Sequence, residues 1–81
     1  MSTTSRAYEY TVLLHPDEES GGFTVTLPSL PGIVTEGDTL EEALDMARDA
    51  IALYLEDLVA DGEPIPTEST PPQLARVTVA A

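Results

Sequence analysis

The stretch FTVTLPSLPGIVTEGDTLEEA, residues 23–43, decides the fold because the spacing of its apolar residues changes from strand-like to helix-like. Its opening FTVTL alternates, with Phe23, Val25 and Leu27 on one side, and this pattern predicts a strand with one buried face. Pro28 has no N–H to donate, so we expect it to end that strand. The change of period predicts that a sheet and a helix share one core.

Two turns are predicted inside this stretch. Leu30-Pro31-Gly32-Ile33 fits a type II turn, because proline sets the first central dihedral and Gly32 accepts the positive φ of the second. GIVT, residues 32–35, is then a short third strand, which a second turn at Glu36-Gly37 closes. The sequence therefore predicts three short strands before the helix.

The helix begins at Leu40, with Asp38 or Thr39 as its N-cap and with Thr39 and Glu42 in capping-box spacing. We expect it to end near Asp61, with Gly62 as a left-handed stop. The apolar residues that recur at helical spacing and predict its buried stripe are Leu40, Ala43, Leu44, Ala47, Ile51, Tyr54, Leu55 and Leu58.

The flanking segments complete one domain, residues 1–81. Residues 1–6 are expected to be a flexible N-terminus, and residues 7–14 alternate as a first strand that a loop joins to the second. The proline-rich residues 63–73 form a linker, and residues 74–80, LARVTVA, read as a last strand parallel to the first. The predicted fold class is α+β, in the order β-β-β-α-β, with a three-stranded antiparallel meander and one helix on one face.

The charge balance limits the classes of function. The chain has fifteen acidic residues, three arginines and no lysine, so its net charge is −12. Such a surface repels phosphates, so we expect no direct nucleic-acid binding and favour a basic protein partner. The alternative is that the acidity only maintains solubility. No cysteine occurs, so disulfides and thiolate metal sites are excluded and the redox compartment stays undetermined. No long apolar run occurs either, so we expect a cytoplasmic protein without membrane contact.

Candidate sites for chemistry are sparse. A two-metal nuclease needs carboxylates that converge from several elements, but Glu9 lies opposite the apolar strand face, and Glu42, Asp45 and Asp49 point away from the sheet. His15, the one histidine, precedes Pro16 in a polar turn without an evident partner. We therefore predict no catalytic residue, no metal site and no cofactor.

Two surfaces are candidates for contact with a partner. The predicted helix gathers Glu42, Asp45, Asp49 and Glu56 opposite its core stripe, although an ordinary solvated face explains them equally well. Ser29 and Leu30 lie at the tip of the proline turn, where neither has a backbone reason to be, so we predict that they reach the partner.

Apolar residues outside the core predict self-association into a dimer or tetramer. Met46 and Leu53, seven residues apart, lie on a helix flank outside the core stripe. The sheet face that the helix leaves open carries Leu13, Thr24 and Thr26. We expect one of these two surfaces to bury against a second copy.

Three motifs together carry a resemblance to a known family. They are Pro-x-Leu-Pro-Gly at residues 28–32, Glu-Gly-Asp-Thr-Leu-Glu-Glu-Ala at 36–43 and Gly-Glu-Pro-Ile-Pro at 62–66. In this order and spacing the chain resembles the N-terminal domain of the HicB antitoxin family, including its short stand-alone members. The resemblance spans residues 10–66 and implies a truncated RNase H-like fold.

The resemblance also implies a function, namely a non-enzymatic antitoxin that masks a small basic HicA-type toxin, whose own histidine cuts mRNA. Full-length members carry a C-terminal DNA-binding domain, which we do not expect in a chain that stops at Ala81. The alternative is an orphan oligomeric scaffold or a small-ligand-binding protein without a toxin, and a residual metal-dependent nuclease is the third hypothesis.

Overall fold

The computed structural model describes residues 7–81; the predicted flexible segment, residues 1–6, lies outside them. Its elements follow the order β1 (Leu13–Pro16), β2 (Phe23–Thr26), β3 (Val34–Gly37) and α1 (Leu40–Ala60). The three strands form one antiparallel sheet in the order β1-β2-β3. The predicted α+β meander with a single following helix is therefore confirmed. The third strand lies two residues later than predicted, so the turn predicted at Glu36-Gly37 is wrong.

Strand register separates the sheet into a covered and an open face. Val25 of β2 pairs with Leu14 of β1 and with Thr35 of β3, and this row points toward the helix. The helix packs on β3 and β2, so it does not lie centrally over the sheet. As a result, the side of the helix nearest β1 has less of the sheet beneath it.

The core is small and consists of two clusters. Val25, Ala43 and Ala47 are buried between the sheet and the first half of the helix. Leu27, Leu30 and Ile33 form the second cluster, against which Tyr10, Val12 and Ile51 pack. The predicted inward face of the second strand, with Phe23, Val25 and Leu27, is thus confirmed.

The helical stripe is buried less evenly than its spacing predicts. Ala43 and Ala47 are buried, and Leu44, Ile51, Leu55 and Leu58 are half-buried. Leu40 and Tyr54 are exposed, so the prediction that they belong to the core is wrong. A three-stranded sheet of four-residue strands is too short to cover the whole of a helix of 21 residues.

The first strand begins later than its alternation predicts, at Leu13 in place of Ala7. Leu13 pairs with Thr26, the last residue of β2, so residues before Leu13 have no backbone partner on that strand. Leu27-Pro28 leads away into the turn, and Pro28 has no N–H to continue the ladder. The alternation of apolar residues in residues 7–12 therefore indicates that one side of this segment is buried, but the segment forms no backbone ladder with β2.

The proline turn differs from the predicted type. The Ile33 N–H donates to the Leu30 carbonyl at 3.0 Å, which closes a four-residue turn. Gly32 is not among the glycines of positive φ, so the turn is not type II and that prediction is wrong. Burial of Leu30 and Ile33 on either side of the turn holds this part of the chain against the core.

Both helix ends follow the predicted capping. Thr39 is the N-cap, and its hydroxyl accepts from the Glu42 N–H at 3.1 Å. The C-terminal stop is Gly62 at φ 71°, with the Gly62 N–H on the Val59 carbonyl and the Glu63 N–H on the Leu58 carbonyl. This pair of bonds is a Schellman motif, and it turns the chain back toward the sheet.

The predicted C-terminal strand is absent. Residues 74–80 carry no strand and are exposed along their whole length. The linker occupies the neighbourhood of residues 10–11 instead, since the Tyr10 hydroxyl donates to the Pro66 carbonyl and the Thr11 N–H donates to the Glu68 carboxylate. The space beside the start of the first strand is therefore already filled, and the RNase H-like classification stays a prediction.

Glu68 ties three segments together. Its carboxylate accepts from the Thr11 N–H at 3.0 and 3.1 Å, from the Thr11 hydroxyl, and from the Ser29 hydroxyl at 2.7 Å. These bonds, led by those from the Thr11 and Ser29 side chains, lower the pKa of Glu68 below its ordinary value. One carboxylate thereby joins the linker, the segment before β1 and the proline turn.

We predict that Gly37→Ala destabilises the fold by roughly 3 kcal/mol, because a methyl group there overpacks the interface between the sheet and the helix. A Cβ at position 37 would lie 2.6 Å from the Ala43 Cα and 2.9 Å from the Glu42 carbonyl carbon, both of them backbone atoms. Urea unfolding followed by circular dichroism measures the effect. Gly32→Ala is the control, since its Cβ meets nothing within 4 Å, and it should change stability by less than about 1 kcal/mol. Equal effects of the two variants would contradict the prediction.

We predict that Glu68→Gln lowers the Tm at neutral pH and that its difference from the unmodified chain shrinks in acid. The folded pKa of Glu68 lies below the unfolded value, so its contribution to stability is present above about pH 4.3 and is lost as the pH falls through the folded pKa. Thermal unfolding of both proteins between neutral and acid pH checks this. Glu63→Gln, at an exposed carboxylate, is the control and should track the unmodified chain. A Tm difference that is independent of pH would refute the ionic role of Glu68.

Candidate partner-binding surfaces

The acidic face of α1 is exposed as predicted. Its four carboxylates, which we call the acidic face, are Glu42, Asp45, Asp49 and Glu56. The helix carries two acids in its first turn and no base in its last, so no basic residue of its own offsets the negative end of its dipole. The acidic face therefore presents a concentrated negative charge to any approaching molecule.

Two members of the acidic face already have partners within the chain. Asp45 accepts from the Arg48 guanidinium at 2.7 Å in an exposed ion pair, and Glu42 accepts from the Asp38 N–H at 3.3 Å. Exposed pairs of this kind contribute little to stability and exchange readily. Asp49 and Glu56 form no ion pair among the described residues, so these two carboxylates are the ones most available to a cation.

The tip of the proline turn does not project as the sequence suggested. Leu30 is buried with 3% of its surface exposed, and it packs with Leu27 and Ile33. Ser29 is half-buried and donates its hydroxyl to Glu68. The premise that both residues reach outward is therefore wrong, because the turn folds back onto the core and the linker covers it.

The open face of the sheet carries the predicted residues and others that the sequence analysis missed. Leu13, Thr26 and Val34 form one cross-strand row, and His15, Thr24 and Glu36 form the next. Val34 is 62% exposed, and the His15 Nε2 lies 2.9 Å from the Thr26 hydroxyl oxygen. Val34 could have been found from its alternation with Ile33 and Thr35. His15 lies in β1, not in a turn.

The helix flank that carries Met46 and Leu53 is also exposed, at 47% and 61% of their surfaces. Met46 borders a shallow depression beside Gly37 and Phe23, at the end of the helix that lies over β3. Leu53 lies two turns further along the helix. Both residues are thus available for the predicted contact with a second copy, and that contact stays a prediction.

A groove that the sequence analysis did not anticipate runs along the other side of the helix. It has a volume of about 520 Å³ and lies between residues 8–12 and the helix, where Leu44, Ile51 and Leu55 line it. A second depression shares Tyr8, Ala52 and Leu55 with it and continues to Val59 and Ile65. We call the two together the helix groove. It exists because the helix packs over β2 and β3, and not over β1.

The residues considered for catalysis stay apart. Glu9 is exposed beside the helix groove, and the helical acids lie on the outer side of α1. Within residues 7–81, no three His, Cys, Asp or Glu side chains come together in a way that could hold a metal ion. In the same part of the chain, no helix is long and apolar enough to span a membrane.

The hydrogen bonds of Glu68 and Tyr10 at the linker were not predicted from the sequence. Burial, followed by the nearby Tyr8 and Glu68, raises the pKa of Tyr10. Both residues hold the linker in place, and no local motif marks them, because their partners lie more than fifty residues away in the sequence.

Comparisons with known proteins agree on one family. Residues 10–78 match the family model described as a HicB-like antitoxin of a bacterial toxin-antitoxin system. A UPF0150 protein of Synechocystis sp. is 44% identical over 66 residues, which cover 82% of each chain. Antitoxin HicB 1 of Photorhabdus laumondii is 49% identical over 57 residues, which cover 70% of this chain and 36% of that protein.

A solved structure shows the same architecture. The crystal structure of the N-terminal domain of Burkholderia pseudomallei antitoxin HicB is 32% identical and aligns with a TM-score of 0.63, over 76% of this chain and 69% of that one. This chain spans less than half the length of the relatives named antitoxin HicB and most of the length of the Synechocystis protein. With the family model matched over most of its length, the chain belongs to the HicB-like antitoxin family of bacterial toxin-antitoxin systems.

Proposed function

We propose that this chain is a non-enzymatic antitoxin that binds and masks a small basic toxin of the HicA type, which cleaves mRNA. The observation that carries the proposal is the exposed acidic face of α1, in a chain that belongs to an antitoxin family. A protein that binds RNA must present cations to phosphates, and a surface rich in carboxylates competes for those cations. The proposal also includes self-association of the antitoxin.

The distribution of charge supports the acidic face over other surfaces. Residues 36–63 contain ten acids and one arginine and so hold −9 of the net −12. Steering by this field would bring a basic partner to the helix first, and close contact would then select the carboxylates that have no internal partner. Asp49 and Glu56 lie two turns apart on the same side of the helix, and they are the strongest candidates for that contact.

The turn tip has a different part in this proposal. Because Leu30 is buried and Ser29 is bonded to Glu68, these residues shape the surface near the linker and do not themselves reach outward. The proposal therefore assigns the first contact with the toxin to the acidic face.

We predict that Asp49→Lys/Glu56→Lys weakens binding to the toxin at least roughly tenfold, because it replaces attraction at the contact with repulsion. The toxin is first recovered with tagged antitoxin from the native lysate at about 50 mM salt and compared with recovery at about 500 mM salt, where screening weakens charged contacts. Calorimetry with the purified toxin then gives the Kd of each variant, and an RNA cleavage assay shows whether masking is lost.

The matched control is Glu18→Lys/Glu19→Lys, at two exposed acids of the loop between β1 and β2. It changes the net charge by the same amount but lies away from the helix, so its Kd should stay close to that of the unmodified chain. Equal weakening by both variants would mean that only net charge matters. Absence of any binding to a basic toxin by the unmodified chain would overturn the proposal itself.

A further inference from the structure

The C-terminal segment makes almost no contact with the rest of its own chain. Leu74, Val77 and Val79 are 84%, 85% and 80% exposed. Among the described residues, these are the most exposed large apolar side chains, and they follow one another within six positions. Removing these side chains from water would be favourable, so we expect a second surface to cover this segment.

The apolar residues of this segment are arranged for one-sided contact. In an extended chain, successive side chains point to opposite faces, so Ala75, Val77 and Val79 share one face. Leu74, Arg76 and Thr78 share the other. The first face carries only apolar side chains, two of them β-branched, which suits a flat apolar surface.

The helix groove matches this segment in chemistry and length. Its walls are mainly apolar, with Leu44, Ile51, Leu55 and Val59 along the helix. From Leu44 to Val59 the groove follows the helix for about 22 Å, at 1.5 Å per residue. Residues 74–80 in extended form span about 20 Å, at 3.3 Å per residue. One segment of this length would fill the groove from end to end.

The segment is poorly placed to fill the groove of its own chain. Glu68 is bonded to Thr11, so the chain at this residue already lies beside the edge of the groove. Residues 69–73 include Pro71 and Pro72, and in the structure residues 69–80 are exposed and none of them lines the groove. Consecutive prolines favour extended backbone, which carries the segment away from its own domain.

Charge decides which part of a second copy can approach the groove. Two copies of a chain with net charge −12 repel each other across most of their surfaces. Residues 69–81 contain one arginine and no acid. Of the parts of the chain that the structure describes, this segment is the one that the negative charge of a second copy repels least. The charged residues that line the groove are Glu9, Arg48 and Glu56, two acids and one base, so its excess of negative charge is small and still favours a segment without acids.

We propose that residues 74–80 of one copy lie in the helix groove of a second copy, with Val77 and Val79 against Ile51 and Leu55, and that the exchange is reciprocal. A reciprocal exchange closes on itself with two-fold symmetry and gives a dimer. This inference does not rest on toxin binding. It names a contact that differs from the open sheet face and from the flank that carries Met46 and Leu53.

The first test measures mass in solution by light scattering. We expect the unmodified chain to have twice the monomer mass of 8.6 kDa and Val77→Asp/Val79→Asp to fall to the monomer mass. Leu74→Asp/Thr78→Asp is the matched control, because it adds the same charge to the same segment on the opposite face; it measures the part of the weakening that is due to charge alone, and it should keep a clearly larger fraction of dimer than Val77→Asp/Val79→Asp. A monomeric unmodified chain, or a dimer that both double variants leave intact, would overturn the proposal.

The second test uses the absence of cysteine from the chain. Ala52 lies near the middle of the groove and Val77 is the middle of the segment, so the two positions meet in either direction of docking. Ala52→Cys protein is mixed with Val77→Cys protein and oxidised, and we expect a disulfide between the two different variants, identified by peptide mass spectrometry. Each variant has one cysteine, so this bond can form only between two chains.

The doubly substituted chain, Ala52→Cys/Val77→Cys, separates exchange from folding back. A dimer linked by two disulfides supports the proposal, whereas a monomer with an internal disulfide at all protein concentrations would overturn it. Because Ala52 and Val77 are both exposed, neither substitution removes a core side chain. Toxin binding by Val77→Asp/Val79→Asp is measured separately. In this way a failure of the dimer proposal can be told apart from a failure of the antitoxin proposal.

Discussion

The close approach of the helix to the end of β3 is the constraint on which the rest of the structure depends. Gly37 has no side chain, so the backbone of the first helical turn, at Glu42 and Ala43, can rest directly on it. Thr39 then caps the helix only two residues later, which fixes the direction in which α1 leaves the sheet. A larger residue at position 37 would lift the helix away from Val25 and would open the smaller of the two core clusters.

This start places the helix over β3 and β2 and leaves three surfaces without cover. The helix groove lies on the side of the helix nearest β1. Leu13 and Val34 lie on the face of the sheet opposite the helix, and the acidic face points to solvent. Residues 7–81 bury only six apolar side chains, so a domain of this size has little else with which to cover these surfaces. Surfaces for partners thus follow from how little core the chain has.

The sequence predicted most of what is set by local rules, although the type of the proline turn was wrong. The meander, the helix from Leu40, the Thr39 cap and the Gly62 stop each depend on residues close in the chain, and the structure has all of them. Contacts between distant residues were not predictable in this way. Leu30 looked like an exposed tip because the residues that close its cluster, Tyr10, Val12 and Ile51, lie far from it in the sequence. Glu68 lies 57 residues from Thr11, to which it bonds.

The C-terminal segment shows the limit of a pattern most clearly. Alternation in residues 74–80 predicts an extended segment with an apolar face, but it does not say where that face is buried or whether a ladder partner exists. Here Pro66 and Glu68 occupy the neighbourhood of the first strand, so the expected partner is not free. An apolar strand pattern therefore predicts that one face will be buried, and the surface that buries it can belong to another chain.

The two proposed contacts are linked through charge. Glu56 belongs to the acidic face and also borders the helix groove, so a bound basic protein and an exchanged segment would lie next to each other on the helix. Two copies at net charge −12 each resist association, and a cationic partner on the acidic face reduces that repulsion. By linkage, a partner that favours the dimer must in turn bind the dimer more tightly than the monomer. Toxin binding and self-association would then stabilise each other without any change in the fold of the domain.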